Sequence, residues 1–538
     1  MKRLVALMAA TLATTPAVAA PPKLLVVISV DQFSSDLYDE YRPSFRGGLA
    51  RLAGGIAYRN GYQSHAASET CPGHSTILTG DRPARTGIVA NTWFDQSQAR
   101  SDKAVYCAED ERVAGSSSSN YTVSARHLRV TTLGERLKAW QPASRTVTVA
   151  GKDRAAVMMT GQHPDQRWYW SAKGFATDLG DVAKPAAVTM VNQGVLAAIG
   201  TTRAPLTAPA DCAARSRVIP VEGGGKPVGA GRFGRAAGDA NSYRASPELD
   251  RATLQLASRL VGEMRLGLGA APDVLAVGLS ATDYVGHTYG TEGEEMCLQL
   301  HALDALLGEF LAALDRAKLD YAVVLTADHG GNDVPERERL HGLPGAARVD
   351  PGLSASAMGQ AIGARLGLTG PVLIGDSSFG DMYIDAGLGP ADRQRALAAV
   401  LAAYRAHPQV AAAFSHAQLR AAPIPIGSPD HWSLLARARA SFDDARSGDI
   451  VVLLKPRITP IADTHHYVAT HGSPHDYDRR VPILFWRKGM RTQASDQPIE
   501  TIDIMPTLAG MVGLPIQRGS IDGHCLPQVT RCGAAPNR

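Results

Sequence analysis

The sequence has no Cys-x-x-Cys pair, which excludes a thiolate zinc site of the usual spacing. It has no clustered block of Lys and Arg, and its formal net charge is only +4 at pH 7. Duplex nucleic acid, which is bound by a basic stripe, is therefore not an expected partner. After the N-terminal segment no apolar run reaches the roughly 18 residues that a membrane-spanning helix needs. There is no internal repeat and no long low-complexity tract. The glycine-rich stretch 225–238 follows no strand-like run, so it is not a dinucleotide loop. Gly375-x-Ser-Ser-x-Gly380 is one residue off a nucleophile elbow and reads as a turn.

What remains is an ordinary globular composition: 538 residues, 45% hydrophobic and 20% charged. The N-terminus reads as an export leader. Lys2 and Arg3 precede an apolar run, Leu4 to Leu12, and Ala17-Val18-Ala19 is a small-x-small cleavage site. Residues 1–19 are thus expected to be removed, placing the mature chain in a periplasm or outside the cell. Six cysteines in an exported chain suggest three disulfides. Cys525 and Cys532 are close enough to close a small loop. Six cysteines permit fifteen connectivities, so the pairing stays open; Cys71 with Cys107 and Cys212 with Cys297 is one arrangement among them.

Lys23–Val30 (KLLVVISV) is a β-branched apolar run without alternation, the mark of a buried strand in a parallel sheet. Similar runs occur at Thr146–Ala150, Asp273–Leu279, Tyr321–Thr326, Ile450–Leu454 and Val481–Trp486. Helical patterns lie between them, at Arg251–Met264, Glu294–Ala317, Ser356–Leu366 and Ala391–Ala406. Strands alternating with helices predict an α/β fold, a central mostly parallel sheet flanked by helices on both faces. Irregular, polar stretches at about 95–250 and 410–450 read as insertions capping one catalytic domain, 20–538.

Ligands of such sheets gather beyond the carboxyl ends of the strands. Asp31 follows the first run directly. Asp328 and His329 follow Tyr321–Thr326. Asp283 comes shortly after Asp273–Leu279, and His287 lies at i,i+4 from it, on one face of a helix or tight turn. His471 lies in Thr470-His471-Gly472, with His465, His466 and His475 as neighbours that could substitute for it. Carboxylate with imidazole and no thiolate suits zinc, with manganese or iron as options. Six ligands, three per ion, make two ions, the usual clamp for phosphoryl transfer.

Thr70 stands just before a helical stretch, Ser75–Gly80, with Pro72 suited to its first turn. A helix N-terminus favours anions. A threonine hydroxyl is a weak nucleophile until its proton is removed, and a metal cluster elsewhere in the chain could do so. Asn91 could donate to a phosphoryl oxygen without adding charge. Lys152 and Arg154, at i,i+2 on an extended chain, would project to one side and repel each other unless an anion sat between them.

Taken together, Asp31, Thr70-x-Pro-Gly-His74, Asp283-x-x-x-His287, Asp328-His329 and Thr470-His471-Gly472 resemble the alkaline phosphatase superfamily. The branch is that of the nucleotide pyrophosphatase/phosphodiesterases. The likeness is greatest to the phosphate-irrepressible bacterial alkaline phosphatases that use threonine. The resemblance implies that Asp31, Asp328 and His329 hold the zinc that activates Thr70. It implies that Asp283, His287 and His471 hold a second zinc at the leaving group, and that Asn91, Lys152 and Arg154 grip the phosphoryl oxygens. The Lys-x-Arg pair resembles the phosphomonoesterase members. The function implied is a secreted, zinc-dependent alkaline phosphatase with a phosphothreonine intermediate and small phosphate esters as its partners. The alternative is a phosphodiesterase or nucleotide pyrophosphatase on the same two-metal site. A monomer is compatible with this reading.

Overall fold

A computed structural model describes residues 20–171, 173–180 and 182–533; the expected leader, 1–19, lies outside them. The ten strands of the main sheet are β1 (Leu24–Val30), β2 (Ile56–Tyr62), β3 (Thr146–Ala150), β4 (Gln166–Ser171), β5 (Gly174–Ala176), β6 (Asp273–Leu279), β7 (Tyr321–Thr326), β8 (Arg480–Arg487), β9 (Gln493–Ser495) and β10 (Ile499–Glu500). Their order is β9-β2-β8-β7-β1-β6-β3-β4-β5, with β10 also on β2. From β7 to β4 the strands run parallel. β8 is antiparallel to both its neighbours, β2 and β7.

The absence of alternation in β1 has a direct cause. Leu24, Val26, Ile28 and Val30 pack into one apolar core, and Leu25 and Val27 into another on the opposite face. The first core includes α3 (Pro247–Glu263) and α5 (Glu294–Arg316); the second includes α1 (Thr70–Ile77) and α2 (Asp153–Thr160). Helices therefore cover both faces of a mostly parallel sheet, as expected. α3 starts earlier than its apolar pattern, because Ser246 caps it and Pro247 occupies its first turn. Among the described residues α5 alone is long and apolar enough to cross a membrane. Its Met296, Leu300, Leu303, Leu307 and Leu311 are buried in the first core.

One strand departs from expectation. Ile450–Leu454 is not in the parallel sheet but in a separate antiparallel one, ordered 373–374, 380–384, 450–454, 410–415. It mimics a parallel strand because both its faces are covered. Ile450, Val452 and Leu454 pack on Ala396, Val400 and Tyr404, while Leu453 faces Leu419 and Phe442. The segment 95–250 supplies β3, β4 and β5 to the main sheet, besides irregular chain. The three disulfides join Cys71 to Cys107, Cys212 to Cys297 and Cys525 to Cys532, a connectivity that the sequence left open.

Candidate active site

Parallel register builds the site. Ala150, Gly278, Ser29 and Thr326 lie side by side across β3, β6, β1 and β7. Two residues beyond that row stand Lys152, Asp31 and Asp328; beyond Gly278 the chain turns into α4 (Ala281–Tyr289), which carries Asp283 and His287. The apolar strand interiors thus deliver their first polar residues to one edge. Asp31, His74 and Asp328 bring ligand atoms within 4.8 Å of one another, and so do Asp283, His287 and His471. The two groups adjoin: His329 Nε2 lies 3.2 Å from Asp328 and 4.0 Å from Asp283.

The three expected ligand histidines share one device. His287 Nδ1 bonds the carbonyl of Ala469, His329 Nδ1 that of Gly330, and His471 Nδ1 that of Ser68, each at 2.8 Å. A carbonyl only accepts, so Nδ1 carries the proton and the Nε2 lone pair is left for a cation. The Nε2 atoms of His287 and His471 stand 3.3 and 3.4 Å from Asp283 Oδ1. Of the neighbours that could have replaced His471, His475 bonds the Leu454 carbonyl and His465 pairs with the exposed Asp463.

Thr70 is the first residue of α1, which begins five residues earlier than its sequence pattern; Glu69 precedes it in extended conformation. Thr70 does not act as a cap, since no side chain caps this helix. Its Oγ1 is 3.3 Å from Lys152 Nζ, 3.4 Å from Arg154 Nη2 and 3.5 Å from His329 Nε2. The helix approaches β7 closely only because residue 73 is glycine: a Cβ there would stand 2.0 Å from the Asp328 carbonyl oxygen. Lys152 and Arg154 meet at Thr70 but not on extended chain. Lys152 ends the turn after β3, and Arg154 lies in the first turn of α2. Asn91 Oδ1 accepts from Cys71 N–H at 2.8 Å, which leaves its amide nitrogen free to donate.

Both groups are buried, and Lys152 Nζ stands between them, 3.0 Å from Asp31 and 2.6 Å from Asp283. Burial and the neighbouring Asp328 push the Asp31 carboxyl up. Burial also opposes ionisation of Asp283 and Asp328. Even so, His287 and Lys152 hold the first well below the usual carboxylate range, and His329 and His74 the second. His329 is lifted to about 9 against its burial, chiefly by Asp328, while burial and His329 drive His471 down to about 3. Burial would strip Lys152 of its proton, but Asp283 and Asp31 more than offset this. Among the described residues, no hydrogen bond of good geometry reaches either oxygen of Asp31, Oδ1 of Asp283, Oδ2 of Asp328 or Nε2 of His74, although Lys152 Nζ stands 3.0 Å from Asp31 Oδ2. Buried acceptors left bare cost free energy unless a cation meets them. An all-Asp/His donor set of this kind fits zinc or a similar divalent ion.

The sequence matches, over residues 25–478, the family described as type I phosphodiesterase / nucleotide pyrophosphatase. The chain belongs to this family. Within it, this phosphoric-ester hydrolase is 51% identical to alkaline phosphatase PhoK of Sphingomonas sp over 516 residues, covering 95% of this chain and 92% of that one. It is 47% identical to alkaline phosphatase PhoD of Zymomonas mobilis subsp. mobilis, over 94% of this chain and 88% of that one. Its fold matches the crystal structure of alkaline phosphatase PafA with a TM-score of 0.82, at 24% identity, covering 96% of this chain and all of the other. These likenesses make the hydrolase a phosphatase-like member of the family with candidate metal-binding groups.

The hydrolase also has site residues that sequence reasoning did not single out. His74 lies between Asp31 and Asp328, with Nδ1 2.9 Å from the Thr70 carbonyl oxygen and Nε2 3.4 Å from Asp31. Its i,i+4 spacing from Thr70 on α1 was the available signal. Tyr106 and Tyr121 bond the two oxygens of Asp153 and so fix the turn between Lys152 and Arg154. Nothing in the local sequence announces them.

Proposed function

We propose that this chain is a secreted alkaline phosphatase that hydrolyses phosphate monoesters through a phosphothreonine at Thr70, with two zinc ions per chain. One observation carries the reading: two cations, Lys152 and Arg154, both lie within 3.4 Å of the Thr70 hydroxyl oxygen. A phosphoryl group with two negative charges suits that pair, and the planar guanidinium fits two of its oxygens.

In this reading Asp31, Asp328 and His329 hold one ion and Asp283, His287 and His471 the other; His74 braces the first set and the Thr70 carbonyl. When bound, the ions would ease ionisation of the threonine hydroxyl and neutralise charge on the departing oxygen. The remaining work falls to the chain. The N-terminus of α1 favours the anion beside Thr70. Lys152, Arg154 and the Asn91 amide hold the non-bridging oxygens, and the threonine oxygen attacks phosphorus in line. The Oγ–P bond forms as the ester bond breaks, and the alcohol leaves with a proton. Water then cleaves the phosphothreonine, restoring the hydroxyl and releasing phosphate. Most of the rate would come from positioning and charge stabilisation. Three disulfides and the leader-like N-terminus support export.

The test compares para-nitrophenyl phosphate with its bis-para-nitrophenyl diester, in the native chain, in Thr70→Ala and in a Lys152→Ala/Arg154→Ala double variant. The monoester should be favoured in the native chain, and the preference should shrink in the double variant. Labelled substrate should leave phosphate on Thr70 after an acid quench. A large diester preference that the double variant leaves untouched sinks the reading. It would favour instead a phosphodiesterase or nucleotide pyrophosphatase, the alternative that the family description supports.

A further inference from the structure

Beside Thr70 opens a cavity of about 310 Å³, bordered by Asn91, Arg154, His287 and His471. It lies next to the set expected to meet the departing oxygen, where a leaving alcohol would sit. Three carboxylates line it: Glu69, Asp376 and Asp381. Arg154 is the one Lys or Arg among its described lining residues, and its guanidinium is turned to Thr70 and Tyr106. Among the described residues no side chain donates a hydrogen bond to these three acids. Glu69 accepts from the Asn91 N–H at 2.7 Å and Asp381 from the Gly448 N–H at 2.6 Å, and Asp376 and Asp381 act on Glu69 as repelling charges.

The other wall is aromatic. Phe379 packs on Gly472, where a Cβ would meet its ring at 2.8 Å, and Tyr467 lies on the His287 ring with centroids 4.6 Å apart. Apolar ring faces with three carboxylates around them favour an uncharged or cationic organic group over an anionic one.

Resting on the monoesterase reading, we infer that this cavity selects the substrate by the charge of its leaving alcohol. It accepts ring-bearing or alkyl alcohols that are neutral or cationic and rejects those that carry a second negative charge. Glu69, Asp376 and Asp381 are its specificity-determining residues. The cations at Thr70 attract the phosphoryl group while the acids above them oppose any further anion. Sugar bisphosphates and carboxylated phosphate esters therefore fall outside the favoured class.

The experiment uses two aryl esters of nearly equal size, para-carbamoylphenyl phosphate and para-carboxyphenyl phosphate, with phosphocholine as a cationic third. Assays run at pH 9, because burial raises Asp381 to about 7 and the carboxylates must be ionised. The neutral ester should exceed the anionic one in kcat/KM by about tenfold, the order given by a few carboxylates acting across several ångströms near a surface. The ratio should narrow at high salt and fall toward one in Asp376→Asn/Asp381→Asn. Asp376→Asn alone, at an exposed position, should move it part of the way if the double variant does not fold. A ratio near one in the native chain overturns the inference, as does a ratio unchanged by these substitutions. So does a ratio abolished by millimolar calcium, which would make the acids a cation site instead. Loss of all monoester turnover would strike the monoesterase reading itself and is seen separately, with the neutral ester.

Discussion

The two candidate metal-binding groups at the sheet edge are built by different means. Asp31 and Asp328 hang from adjacent parallel strands, and their spacing is fixed by the β1–β7 register. Asp283 and His287 share one helix, but their third partner, His471, comes from a loop with little regular structure. That loop is docked by bonds from His287 to the Ala469 carbonyl and from His471 to the Ser68 carbonyl. The first group inherits the rigidity of the core. The second depends on a loop keeping its place, and loops open at lower free energy than buried sheets.

The sharpest way to break this contrast is Asp328→Asn, which strikes the register-built group. Activity on an aryl phosphate should fall on the order of 10³-fold or more, as expected when several kcal/mol of charge stabilisation is lost. Elemental analysis should show lost metal. His471→Ala strikes the loop-held group and should cost more than the roughly 10–100-fold in metal affinity that loss of a mere supporting partner costs. Partial rescue by excess zinc is expected for His471→Ala and not for Asp328→Asn. Equal rescue of both would erase the distinction.

The Cys71–Cys107 bridge ties α1 to the hairpin that follows Asn91. Replacing both cysteines with serine should lower stability by about 3–4 kcal/mol in a urea titration, from loop entropy. Activity should be retained at low denaturant.

The smallest effect concerns the support of α4. Buried Asp250 accepts from the Ala281 N–H at its start and from Gln299 Nε2, and burial lifts its carboxyl to about 7. The protonated form is therefore the one the fold prefers. The stability this provides is full below the unfolded value near 4, and is lost as pH rises through about 7. Asp250→Asn should be more stable than the native chain above pH 7, by on the order of 2 kcal/mol. The gain should vanish at pH 4. Equal pH profiles of the thermal midpoint would refute the effect.

Most of the positions that the fold gathers at the sheet edge were legible because acids and histidines follow fully apolar strands at their carboxyl ends, where register must bring them together. Two kinds of residue were not legible. Ile450–Leu454 is as apolar as β1, and sequence does not say whether a doubly covered strand lies in one sheet or another. Asp376, Phe379 and Asp381 reach the cavity from the second sheet and the turn before it, so their meeting with Thr70 is wholly tertiary. Lys152 and Arg154 were correctly paired on the wrong backbone: the pair converges through a strand-to-helix turn held by Tyr106 and Tyr121.

The props behind the imidazoles are main-chain oxygens, supplied by Ala469, Gly330 and Ser68. No single amino-acid exchange can delete a peptide carbonyl. The orientation of these rings is thus inherited from the path of the backbone. The residues that furnish the props are free to drift in evolution wherever that path survives.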